Sequence, residues 1–176
     1  VSNYIEKQAP NSQLDAGHLV DKCLEYDTDI IFVLSQGLLE SHYGTIGLAA
    51  QTNSVWNVGA FDNQIPKNKY WYDTQDESLE PYLILINEKY LIDITSRGDT
   101  IQKDIHDLVI KSYTNYAGKR FASARGYENA MRKMMIEIDM ETTISFYKAI
   151  VTLNYYEILA YFKTYAGENN TFYPIK

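Results

Sequence analysis

The chain of 176 residues is 45% hydrophobic and 22% charged, enough apolar material for one domain to bury a core and too little charge for a disordered chain. Its formal net charge of −7 and the absence of a Lys/Arg cluster argue against nucleic acid as a partner, because phosphate contacts need concentrated positive charge. The single cysteine, Cys23, excludes an internal disulfide and any CxxC metal or redox site, and no metal or cofactor is expected.

In chain order, residues 1–13 read as a lead-in, irregular as far as Pro10. Ser12 and Asp15 resemble a capping pair, and Ala16, Leu19, Val20, Cys23 and Leu24 form one apolar stripe of a first helix. Cys23 is then a core residue, and His18, off the stripe, is a solvated one. The next helix is more apolar. Ile30, Ile31, Val33, Leu34, Leu38 and Leu39 leave little of its surface for water, so it should be buried. Thr28 or Asp29 can cap its start, and Gly44 can take the left-handed conformation that ends it.

Glu40 therefore falls in the last turn of a buried helix. Desolvation and the negative end of the helix dipole both favour its protonated form, which a general acid needs at neutral pH. On these residues alone, a Glu that surfaces at a helix end is the more common outcome.

The stretch TIGLAAQTNSVWNVGAFDNQIPKNKYWYD follows, in which Gly, Asn and Pro interrupt short aromatic runs; it reads as a loop plus a small hairpin. Leu79, Leu83, Ile86, Tyr90 and Leu91 then give a helical face. If Thr74 caps this helix, with Glu77 completing a capping box, Pro81 lies in its interior; if Ser78 caps it, Pro81 falls in the tolerated first turn, and Ser78 is preferred. A further helix carries Ile101, Ile105, Leu108 and Val109. Tyr127, Met131, Met134, Met135 and Ile138 form the apolar stripe of another. Over residues 141–166 helix and strand readings compete, and helix is preferred. The longest apolar runs, near residues 30–34 and 83–86, are far short of a membrane span. Beginning at Val1 and ending in TFYPIK, the chain reads as a processed product or a piece of a larger polypeptide. Sixteen tyrosines suit sugar binding, protein interfaces and cores alike.

Three segments, in order, resemble the glucosaminidase family of peptidoglycan hydrolases. LSQGLLESHYGTIGLAAQTNSVWNVGAFD is similar to the family's buried helix with its Glu-Ser pair, here Glu40 and Ser41, followed by an aromatic-Gly pair, Tyr43 and Gly44, and an Asn-rich loop carrying Asn53, Val55, Trp56 and Gly59. YDTQDESLEPY resembles the element that opens the helix after the hairpin. FASARGYENAMRKMMIEI resembles the segment leading into a final helix through a tyrosine. Ser54, Asn57 and Phe121 depart from the family pattern, standing where a second Asn, a turn glycine and a tyrosine are usual. Without that tyrosine's hydroxyl, Tyr116 or Tyr127 would have to substitute for it.

The resemblance implies an α+β, mainly α fold: a lysozyme-like helical domain with a small β-hairpin lobe over residues 14–140, and a tyrosine-rich extension over 141–176. It implies cleavage of the β-1,4 bond between N-acetylglucosamine and N-acetylmuramic acid, outside the cell, in the cell wall or from a phage tail. Glu40 is the expected proton donor. Among Asp62, Asp73, Asp76 and Glu77 as second carboxylate, Asp73 is favoured, although the substrate's own N-acetyl group can replace it. Tyr43, Asn53, Trp56, Tyr116 and Tyr127 are the expected substrate contacts, with Trp71 as a further stacking candidate; each aromatic could equally be core. Two other readings fit the same residues: a lytic transglycosylase, and a non-catalytic module whose extension binds protein partners or a second copy.

Overall fold

A computed structural model of the chain describes residues 1–58, 71–90 and 120–152, with side chains as far as residue 142. The described residues are mainly helical, and no β-strand occurs among them. The expected hairpin falls largely on residues 59–70, and the helix around residues 101–109 on 91–119; both lie outside the described residues, as do Asp62, Tyr116 and residues 153–176. The chain divides into two compact units, Val1–Ile136 and Glu137–Lys176.

The lead-in is not irregular. Ser2–Gln8 form a short helix, α1, that buries Tyr4 and Ile5. Seven residues offer too little periodicity to announce it, and burial of two large side chains sustains it where propensity would not. Helix α2, Ala16–Glu25, starts at Asp15, whose side chain accepts from the His18 amide at 2.8 Å. Leu19 and Cys23 are its buried positions, and burial pushes the Cys23 thiol up to about 12, an inert core thiol. Ser12 does not pair with Asp15. Its hydroxyl donates to the Tyr43 carbonyl at 2.8 Å and to Gln75 Oε1 at 3.2 Å.

Helix α3, Ile30–Ser41, is the central element. Asp29 caps it, accepting from the amides of Ile31 at 2.7 Å and Phe32 at 3.0 Å, worth about 1 kcal/mol. Every residue from Phe32 to Gly37 is buried. Gly37 belongs there because a Cβ would sit 3.2 Å from both Trp56 Nε1 and Tyr43 Cδ1. The left-handed cap of α3 is His42 rather than Gly44, and the conformation persists through Tyr43 and Gly44. Gly44 is required for a second reason: a Cβ there would meet the Gln75 side chain at 2.5 Å.

After the short helix α4, Ala49–Thr52, the chain runs through Asn53–Val58 and resumes beside it. The Tyr72 amide donates to the Thr52 carbonyl at 2.9 Å, and Asn53 Nδ2 donates to the carbonyls of Tyr72 and Asp73 at 2.9 and 3.2 Å. A 3₁₀ turn, Asp76–Ser78, leads into helix α5, Leu79–Leu85, which continues as a π turn over Ile86–Tyr90. The two capping readings are divided between two turns. Thr74 accepts from the Glu77 amide at the 3₁₀ turn, while Ser78 stands at the N-cap of α5 without capping it, donating to the Gln75 carbonyl instead; Pro81 falls in the first turn of α5. Helix α6, Tyr127–Thr152, buries Tyr127, Met131, Met135 and Ile138. No described helix is long and apolar enough to cross a membrane.

Candidate active site

The end of α3 is held by interlocking hydrogen bonds that explain why Glu40 is followed by Ser41. The buried Ser41 hydroxyl accepts from the Gly44 amide at 2.7 Å and donates to the Val55 carbonyl at 2.6 Å, binding the loop to the helix exit. Gln75, also buried, donates to the Gly44 carbonyl at 3.2 Å and accepts from the Gln13 amide at 2.7 Å. The strained left-handed run is thus fastened from both sides.

Glu40, the residue before Ser41, is half-buried. Its Oε1 accepts a hydrogen bond from the Tyr127 hydroxyl. Asn57 Nδ2 donates to the Glu40 carbonyl at 3.0 Å and to its Oε2 at 3.3 Å. Desolvation outweighs these two donors and holds the carboxyl above the ordinary glutamate range. Asn57 adopts φ of +50°, the conformation for which glycine is usual, and its side chain adds a donor to the carboxylate that glycine lacks.

Behind Tyr127 the polar contacts continue into the core. Gln36, one turn before Glu40 and fully buried, donates from Nε2 to the Tyr127 oxygen at 3.0 Å. Its Oε1 accepts from the Tyr82 hydroxyl at 2.6 Å. Tyr82 is stacked on Trp56, with centroids 5.1 Å apart and planes 16° apart, and Trp56 Nε1 donates to the Val33 carbonyl at 3.0 Å. Phe121 stacks on the Tyr127 ring at 6.0 Å. A phenol hydroxyl is thus present at the Glu40 carboxyl, from Tyr127.

The other expected site residues divide by exposure. Tyr43 and Trp56 are fully buried, so neither ring presents a face to a sugar; Tyr43 packs edge-on against Tyr4 and Trp56 stacks on Tyr82. Burial pushes the Tyr43 phenol up, and its hydroxyl has no hydrogen-bond partner among the described residues. The Asn53 amide is spent on the carbonyls of Tyr72 and Asp73, which makes it a loop fastener. Asp73 is exposed; its amide donates to Glu77 Oε2 at 3.1 Å, and no hydrogen bond among the described residues joins it to Glu40. Asp76 accepts from the Asp15 amide at 2.8 Å. Trp71 is half-exposed. Among the described residues no group of His, Cys, Asp and Glu has the arrangement of a metal site.

Gln36, Tyr82 and Asn57 were not singled out by the sequence as parts of a site. Gln36 carried a signal nonetheless: a long polar side chain inside a buried helix, one turn from Glu40, must find a buried partner. No protein-family model, curated protein or solved structure matches this chain.

Proposed function

We propose that the chain is a peptidoglycan hydrolase of lysozyme-like fold, cleaving the β-1,4 bond between N-acetylglucosamine and N-acetylmuramic acid with Glu40 as the proton donor. The observation that carries this reading is a half-buried carboxyl held above its ordinary range, with two hydrogen-bond donors aimed at it. The resemblance of the surrounding segments to glucosaminidases supplies the substrate.

Desolvation keeps Glu40 protonated closer to neutrality, and it delivers its proton to the glycosidic oxygen as the bond to the anomeric carbon breaks. Charge then develops on the carboxylate. Tyr127 and Asn57 already point at it, so this charge meets preorganised donors and the dipoles need not reorganise. The substrate's N-acetyl group or a carboxylate such as Asp73 steadies the positive sugar carbon until water adds to it, leaving a new reducing end. The glycan strand would lie along the exposed side of Glu40, and the extension after residue 140 would place the enzyme in a larger assembly such as a phage tail.

Clearing of a purified cell-wall suspension tests the reading. Wild type should clear it. Glu40→Gln should fold and lose clearing by roughly 10²-fold or more, since an amide cannot donate the proton. Wild-type clearing by that variant would end the assignment.

A further inference from the structure

We infer that Gln36 is a positioning residue which fixes the direction of the Tyr127 hydroxyl and so assigns the donated proton to Glu40 Oε2; the inference rests on Glu40 being the acid. As the structure orients them, the three links run in one sense, from Tyr82 through Gln36 and Tyr127 to Glu40. A primary amide has one accepting end and one donating end, and a phenol has a single hydrogen. Tyr82 donates to Gln36 Oε1 at 2.6 Å, which turns Nε2 toward Tyr127. The Tyr127 oxygen, having received that hydrogen, directs its own to Glu40 Oε1.

Oε1 takes the Tyr127 hydrogen, and the acidic proton is assigned to Oε2, where the only described donor is the longer 3.3 Å approach of Asn57 Nδ2. Were the amide reversed, its oxygen would claim the Tyr127 hydrogen and turn the phenol's lone pairs toward Oε1, removing the donor that cushions the carboxylate. Gln36 reaches Glu40 through Tyr127, to whose oxygen it donates. The Tyr82–Gln36 and Gln36–Tyr127 bonds are both buried, with Trp56 packed over Tyr82.

The test follows the Glu40 carboxyl directly, by ¹³C NMR titration of the full chain labelled at glutamate, the resonance being assigned by its absence in Glu40→Gln. Gln36→Met should raise the Glu40 midpoint by roughly half a unit or more, because the charged form loses a well-directed donor. Tyr127→Phe should raise it further. In the Tyr127→Phe background, Gln36→Met should add nothing.

The alkaline limb of the kcat profile, on which Glu40 loses its proton, should move up with the midpoint while KM stays within roughly twofold, which a merely structural role would not produce. An unchanged midpoint in Gln36→Met, or an equal added shift in both backgrounds, overturns the inference. If Gln36→Met does not fold, Tyr82→Phe serves in its place: it frees the amide to reverse and should also raise the midpoint, and no shift overturns the inference equally. Full activity of Glu40→Gln with these shifts intact would refute the proton donor and leave the relay standing.

Discussion

Glu40→Gln should stabilise the protein at neutral pH while abolishing its activity, and the size of the gain should depend on pH. The folded-state pKa of Glu40 lies above its ordinary value, first because burial removes water from the charged form and despite donation from Tyr127 and Asn57. Between the unfolded and folded values the folded protein binds the proton more tightly. Stability is therefore full below the ordinary glutamate pKa and declines as pH rises through the folded one. Each unit of separation is worth about 1.4 kcal/mol, or roughly 3–6 °C in Tm for a chain of this size.

The amide of the variant removes that decline without stranding Tyr127, whose hydroxyl finds an oxygen where Oε1 was. Asn57 keeps its bond to the residue-40 carbonyl. Thermal melts of both proteins between about pH 3.5 and 8 should coincide at the acid end and diverge above the ordinary glutamate range, with the variant higher. A constant difference would refute the desolvation argument. A wild type that gains on the variant as pH rises would mean that the two donors outweigh burial.

Asp73→Asn should lower turnover with little change in Tm if Asp73 steadies charge or orients water, whereas Asp62→Asn should do much less; the reverse order moves the role to Asp62, and equal small effects favour the substrate's own N-acetyl group. Gly44→Ala should lower stability by about 1–2 kcal/mol from its left-handed backbone, with more from the 2.5 Å approach to Gln75, and a denaturant midpoint equal to wild type would show that the turn relaxes freely. A chain stopped after Asp139 should stay folded and active on soluble glycan fragments while losing any partner or second copy, if the extension serves placement; unfolding or aggregation would make the extension part of the core.

Local signals were strong where one element decides the outcome. Asp29 as cap, the burial of α3 and the placing of Glu40 in its last turn all follow from residues adjacent in sequence. The apolar stripe from Tyr127 to Ile138 was legible for the same reason. What was illegible depends on distant partners. Ser12 next to Asp15 looks like half of a capping pair until Tyr43 and Gln75 claim its hydroxyl from 31 and 63 residues away. Trp56 and Tyr43 have compositions that suit a sugar platform, and only packing against Tyr82 and Tyr4 makes them core. Asn57 looked like a loss of the usual turn glycine, yet it keeps the left-handed backbone and adds a donor.

The central claim is that this chain breaks cell-wall glycan by proton donation from Glu40. Mass spectrometry of soluble fragments from purified peptidoglycan, before and after borohydride reduction, tests it most directly. The account predicts fragments ending in a reducible N-acetylglucosamine with wild type and none with Glu40→Gln; 1,6-anhydro ends would identify a lytic transglycosylase, and the absence of any cleavage by folded wild type would contradict the account.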